Sequence, residues 1–423
     1  MKALFVTSGL ELRILTDKFI NNYFSNGIII SVHDNDKIKS FADAKNLTFV
    51  KVDAPDIGGS RLLYIIIQLQ KIRLSKKTKS RVILKLPKKY NYFEMFNPKI
   101  LSALFYCLDF LYRNFQKPKV WKELQRVYST YGITEIIFAS HNDRIIQSAA
   151  HSAIKNGISS FLIQNSWKDV FINPYLYVDF TKINVWSEAI ANVLKELNTR
   201  TQNIEWKISW HPRLLKLTDS GNSPTSKDVP EKIILYTCAN PKIIPDEYDI
   251  VKLILTECPS EYRFVIRPNP QDDTPGRWEK LIHFREGLSI DIPNWYWDQK
   301  VNIPEPNAEE HWRNLLMRCC LVIGVASTVT LEALLLNKKV LNIAFGSDGS
   351  ESEYLREITY APYYEGLLQH TSVYVCSNIK CFNTDLEFLI NSNSLNEEPS
   401  QYLINHLIYE KARNSQLQER FTR

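Results

Sequence analysis

Short apolar runs alternate with amphipathic stretches along most of the chain, and the rhythm restarts once. In the first half, ALFVTSG (3–9), GIIISVH (27–33), LTFVKVD (47–53), TEIIFASH (134–141), SSFLIQNS (159–166) and KINVWSE (182–188) read as strands. Between them the spacing of apolar positions predicts helices through LRILTDKFINNYF (12–24), RLLYIIIQLQKIRL (61–74), the aromatic-rich 97–116, VWKELQRVYSTYG (120–132) and DRIIQSAAHSAIKNG (143–157). RVILKLP (81–87) reads as a strand or an edge segment. LTDSGNSPTSKDVPE (217–231) is polar and rich in Ser, Pro and Asp, the composition of a linker. After it come strands KIILYTCA (232–239) and YRFVIRP (262–268), a helix over 247–257, and then LVIGVASTVTLEALLLNKKVLNIAF (321–345), a strand–loop–helix–strand unit. Strands alternating with helices of this length predict an α/β protein of two doubly wound, Rossmann-like domains. The boundaries fall at 1–216, a linker at 217–231, a second domain at 232–395 and a helical tail at 396–423.

A chain of 423 residues is longer than one hydrophobic core usually supports, which agrees with two domains. The opening residues MKALFVTS read as a strand rather than a signal segment, and no apolar run reaches the length of a bilayer span. Seven scattered cysteines without CxxC spacing argue against a disulfide framework or a zinc site. The expectation is a cytoplasmic protein. Charge is distributed unevenly: between Arg61 and Lys122 fifteen Lys or Arg stand against Glu94 and Asp109 alone. PKILSALFYCLDFLYRNFQKPK (98–119) then has two readings: a core helix with solvated lysines, or an interfacial helix at the inner face of an anionic membrane. Nucleic acid is excluded as a partner because no recognition motif accompanies the charge and the pI of about 8.7 is modest.

In open α/β sheets, ligands sit beyond the carboxyl ends of the strands, so residues just after strand ends are the candidates. The apolar run ending at Gly324 is followed by Ser327 and Thr328, either of which can cap a helix starting near Val329. Free N–H groups and hydroxyls at a helix start favour a phosphate, and Glu332 one turn later can close a capping box or take ribose hydroxyls. Arg267, at the end of YRFVIR, can pair with a phosphate or simply be solvated on a turn stiffened by Pro268 and Pro270. In the first half, His141 and Asp143 follow one strand, and Asn165, Trp167, Lys168 and Asp169 follow the next. An imidazole or carboxylate there can act as general base for an acceptor hydroxyl, although Asp143 is equally a helix cap and Trp167 equally a core aromatic. His211-Pro212 reads as structural. No Asp-x-Asp stands at a suitable strand end of the second half, so no metal and no cofactor beyond a nucleotide-linked substrate is called for.

Two doubly wound halves, Arg-Pro-x-Pro after a strand, and VIGVASTVTLEALLLNKKVL together resemble the GT-B glycosyltransferases. The likeness is narrower to bacterial capsule and surface-polysaccharide transferases, including CDP-glycerol glycerophosphotransferases and polysialyltransferases. IQNSWKDVFINPYLYVDFTKINVWSE also resembles the Ser-Trp-Asp-Asn … Val-Trp segment of surface-polysaccharide transferase-like proteins. The resemblance spans about 160–350. It implies two domains facing across a cleft, a UDP-, CDP- or CMP-linked donor held by Arg267, Asn269, Gly324, Ser327, Thr328 and Glu332, and a glycan or lipid-linked acceptor near Asn165, Trp167 and Lys168. Asp143, Asp169 or His141 would be the base. Asn269 replaces the family's usual His, Lys168-Asp169 replaces Asp-Asn, and Trp210 stands where Gly is common. Those departures leave open an altered donor, a glycerol-phosphate transferase or sugar-nucleotide epimerase on the same fold, or an inactive nucleotide-binding partner in polysaccharide assembly.

Overall fold

The computed structural model describes residues 1–54, 61–78, 96–115, 121–141, 144–166, 175–176, 178, 180–198, 203–209, 211–218, 232–272, 274, 276–297, 301–361 and 364–392. The edge segment at 81–87, most of the linker (219–231) and the tail at 396–423 lie outside them.

Seven strands form the first sheet: β1 (Lys2–Val6), β2 (Ile28–Ser31), β3 (Thr48–Lys51), β4 (Glu135–Phe138), β5 (Ser159–Ile163), β6 (Lys182–Val185) and β7 (Glu205–Ile208). All pair in parallel, in the order β3-β2-β1-β4-β5-β6-β7. The second half holds β8 (Ile233–Thr237), β9 (Arg263–Arg267), β10 (Leu288–Ile290), the antiparallel hairpin β11 (Trp295–Trp297) and β12 (Asn302–Pro304), then β13 (Leu321–Gly324), β14 (Lys339–Ile343) and β15 (Val373–Cys376). Its six-stranded sheet is again parallel, ordered β10-β9-β8-β13-β14-β15. Each sheet therefore winds outward in both directions from a central pair, β1/β4 and β8/β13. These are two doubly wound domains facing across a cleft.

The predicted strands recur, each starting within a residue of its expected start and ending one to three residues earlier, because a strand buried on both faces must be continuously apolar. β7, β10, the β11–β12 hairpin and β15 carry weaker patterns and were not anticipated. The predicted continuous helix over 12–24 is broken. A 3₁₀ turn (Leu10–Ile14) ends before Thr16, whose hydroxyl accepts from the Phe19 N–H and so caps a new start; Asp17–Phe19 is helical, and Ile20–Phe24 is a π-turn.

Strand alternation divides the core. Ala3, Phe5, Ile136 and Phe138 point to one face of the first sheet, Leu4, Val6 and Ile137 to the other. The first of these apolar layers runs without interruption into Ile233, Leu235, Val322 and Leu331 of the second domain. The second layer receives Val301 and Ile303, so the β11–β12 hairpin packs on the first domain although it belongs to the second half of the chain. Gly9 sits at that junction with φ +84°, and a Cβ there would lie 2.7 Å from the Asn302 carbonyl oxygen and 2.9 Å from Ile303 Cγ1. The neighbouring Asn302 N–H donates to the Ser8 carbonyl at 2.8 Å. Gly9→Ala combines a left-handed backbone with a backbone clash, and should cost about 2 kcal/mol. Urea denaturation checks this; an unchanged midpoint would show that the junction yields freely.

Candidate functional site

Parallel pairing places every strand's carboxyl end on one side of its sheet, and crossovers leave in opposite directions from β1/β4 and β8/β13. The crevices at such switch points are where open α/β sheets take ligands. Here both crevices open onto the same cavity, of about 1140 Å³, between the domains. Its first-domain wall comprises Thr7, Ser8, Glu11 and Arg13 after β1, Ser140 and Arg144 after β4, Asn165 and Ser166 after β5, and Lys71 from the helix Arg61–Thr78. The second-domain wall comprises Cys238–Asn240 after β8, 267–271 at the end of β9, Val325–Val329 after β13, and Glu309, Trp312 and Glu332.

The loop after β13 adopts the cap expected of it. Ser327 is the N-cap of the helix Thr328–Leu335, its hydroxyl accepting from the Val329 N–H at 3.2 Å. The positive end of that helix faces the cavity, lined by Ser327, Thr328 and Val329. Glu332 does not close a capping box. It is the fifth helical residue, beyond the third position the box requires, and it is buried. One carboxylate oxygen pairs with Arg213, and the other accepts from the Trp312 indole N–H at 2.6 Å. Gly324 is not a ligand-facing position either. A Cβ there would lie 2.6 Å from Thr237 Oγ1 and 2.7 Å from its carbonyl oxygen, so the missing side chain lets β13 approach β8.

Arg267 lines the cavity, but its guanidinium is not free for a phosphate alone. It pairs with Asp291 and lies over the Trp312 ring, 4.9 Å from the centroid. Asp291 also binds His311 Nε2 at 2.6 Å. Asn269 shapes the loop: its side-chain oxygen accepts from the Gln271 N–H at 2.9 Å, and Gln271 in turn accepts from the Asn240 amide at 2.6 Å, tying the β9 loop to the β8 loop.

Of the residues expected from sequence, the cavity brings together Asn165, Arg267, Asn269, Ser327, Thr328 and Glu332. His141 is buried at the end of β4 and does not line it. Asp143, Trp167, Lys168 and Asp169, with Trp210, lie outside the described residues. His211 is structural, as expected: buried and held neutral by burial and by Arg213 and Arg13, it caps the helix Pro212–Thr218 through Nδ1, which accepts from the Arg213 N–H at 3.2 Å.

Two ion pairs meet in this wall, and of their four members sequence reasoning missed Arg13, Arg213 and Glu309. Arg13 Nε pairs with Glu309 at 2.6 Å, and Arg213 pairs with Glu332, all four side chains largely or fully buried. Burial opposes ionising Glu309, yet Arg13 and Arg213 hold its pKa below the ordinary value. Thr7 and Ser8 could have been found by the strand-end rule. Arg13 and Arg213 could not, because their partners are far away in sequence.

Behind the β8 loop, Glu247 is buried and accepts from the Ala239 N–H at 2.8 Å and the Tyr236 hydroxyl at 3.2 Å. Burial outweighs those donors and raises its pKa to about 8. Unfolded, the group ionises near 4.5; folded, it keeps its proton to about pH 8. Its penalty is therefore absent below pH 4.5, grows as the pH rises towards 8, and is complete above it. Glu247→Gln keeps the accepting oxygen and removes the charge. It should match the wild type at pH 4.5 and exceed its stability at pH 9 by roughly 4 kcal/mol. Parallel pH–stability curves for the two proteins would refute the assignment.

Two doubly wound domains with a shared inter-domain cavity at their switch points define the GT-B architecture. No family model and no curated protein matches the chain by sequence. Solved structures do match by shape. The UDP-GlcNAc 2-epimerase of Methanocaldococcus jannaschii aligns with TM-score 0.51 and 12% identity over 94% of this chain and 95% of that one. The UDP-GlcNAc 2-epimerase of Neisseria meningitidis, bound to UDP-GlcNAc, aligns with TM-score 0.51 and 11% identity over 96% and 98%. A glycosyltransferase from Rickettsia africae aligns with TM-score 0.47 and 10% identity over 96% and 94%. The two epimerases show the shared fold.

Proposed function

We propose that this protein is a nucleotide-sugar enzyme, and specifically a glycosyltransferase that moves a sugar from a UDP-, CDP- or CMP-linked donor to a surface-polysaccharide or glycolipid acceptor. The observation that carries the reading is the capped helix Thr328–Leu335, whose N-terminus opens into an inter-domain cavity of about 1140 Å³. That end would hold the donor's phosphate or diphosphate, and its N–H groups with the Ser327 and Thr328 hydroxyls would meet the charge that develops on the leaving nucleotide. The first-domain wall, with Asn165, Ser166 and Lys71, leaves room for an acceptor. Asp143 or Asp169 would take the acceptor's proton, His141 being buried away from the cavity. The fold shared with UDP-GlcNAc 2-epimerases favours a second reading, inversion of a sugar nucleotide with no acceptor.

Thermal shifts with UDP, CDP and CMP should show stabilisation by at least one nucleotide. Thr328→Phe, which blocks the helix N-terminus at a half-exposed position, should abolish it. No shift with any nucleotide would sink both readings. Product analysis then separates them: the C2 epimer formed from UDP-GlcNAc alone marks an epimerase, while donor consumption that depends on added acceptor marks a transferase. A nucleotide that binds without turnover marks an inactive partner.

The enzyme would work as a peripheral protein on the cytoplasmic face of an anionic membrane. Among the described residues no helix is long and apolar enough to cross a bilayer. The helix Pro98–Phe115 combines a buried face with an exposed apolar one, which supports this placement. Leu101, Phe105, Asp109 and Tyr112 face inward, and Asp109 accepts from the Tyr175 hydroxyl. The outward face leaves Ile100 55% and Phe110 60% exposed, beside Tyr106 and Leu111. Arg73 lies against Tyr106, and Lys76 donates to the Phe96 carbonyl at 2.5 Å, so cations border the apolar stripe. Flotation should recover the protein with anionic but not neutral vesicles, and Ile100→Glu with Phe110→Glu should release it without lowering its Tm. Equal recovery with both vesicle types would refute the placement.

A further inference from the structure

We propose that Lys71 forms an anion subsite on the first-domain wall of the cleft, and that the acceptor taken there carries a carboxylate or phosphate. The proposal rests on the transferase reading of the same cavity and names its second substrate's chemistry. Of the cations on that wall, Arg13 is neutralised by Glu309 and Arg213 by Glu332, and Arg144 is engaged in an interaction of its own. The Glu11 carboxylate is no counter-ion for Lys71, being saturated by the N–H and hydroxyl groups of Thr7 and Ser8 at 2.8–3.2 Å. Lys71 is different. It lines the cavity, is half-buried, and among the described residues has no hydrogen-bond or ion-pair partner. Burial lowers its pKa, and among the described residues no carboxylate restores it.

An ammonium withdrawn from water without a counter-charge is costly, and an anion entering the cavity would remove that cost. One helical turn earlier, beside the cavity lining, Gln68 keeps a buried side-chain oxygen with no hydrogen-bond partner among the described residues. Residues three apart share a helix face. An acidic sugar, with an anionic group and adjacent hydroxyls, suits such a face better than a neutral one. Lys71 stands on the first domain, while the capped helix N-terminus stands on the second, so the two anion-binding features belong to opposite halves of the cleft.

The test is calorimetric binding of three oligosaccharides matched except at their ends: glucuronate-terminated, phosphate-terminated and neutral. Wild-type protein should prefer at least one anionic ligand about tenfold, and the carboxylate and phosphate arms show which group fits. Lys71→Gln should erase the preference, Lys71→Arg should keep most of it, and UDP affinity should not change in either. Equal binding of charged and neutral ligands by wild type would overturn the proposal. So would a parallel loss of UDP affinity in Lys71→Gln, which would move the lysine to the donor half. If UDP binds none of the proteins, the transferase reading fails while the anionic preference remains readable, so the two failures are distinguishable.

Discussion

The cleft is held in shape by charges that cancel inside it. Arg13 and Arg213 come from the first half of the chain, Glu309 and Glu332 from the second, and the two pairs adjoin in the cavity wall. Each ion is removed from water, which is affordable only while its partner stays in place; deleting one member of such a pair generally costs 3–5 kcal/mol. The pairs therefore fix the distance between the domains more tightly than apolar packing alone, which tolerates sliding. They also decide what Glu332 can do. A carboxylate gripped by Arg213 and by the Trp312 indole is aimed by the opposite domain, so the helix Thr328–Leu335 and the first domain cannot be rearranged independently.

Much of the fold was legible in the sequence because buried parallel strands must be apolar along their whole length, as IIFA, FLI and LVIG are. The elements that escaped have physical reasons. β10, β11 and β12 are three residues each, and WYW and NIP carry no alternation long enough to read. The site was legible where it depends on local chemistry: Ser327 caps its helix from three residues of context. It was not legible where it depends on distant partners. Arg267 looked like a phosphate ligand, but Asp291 and Trp312 hold it; Glu332 looked like a cap, but Arg213 holds it. Gly324 looked like a ligand's approach, and it serves the approach of a neighbouring strand.

Asn269, which stands where the resemblance led to the expectation of a His, also reads differently in three dimensions. Its amide closes a turn onto Gln271, and Gln271 reaches Asn240 on the next loop. Shape at that point is set by neutral hydrogen bonds, and charge is supplied from elsewhere in the wall. The cavity thus has a neutral rim at the β8 and β9 loops, a helix dipole at the β13 loop, and opposite them an ammonium unmatched among the described residues.

One apolar layer passes unbroken from the first sheet into the second, from Phe5 and Phe138 to Leu235 and Val322. The halves of such a molecule cannot melt separately, because either alone would expose the layer the other covers. Their fates are thermodynamically joined. A small ligand wedged in the cleft then stabilises not a local pocket but the whole cooperative unit, and a lesion at the far edge of either sheet weakens the grip on that ligand.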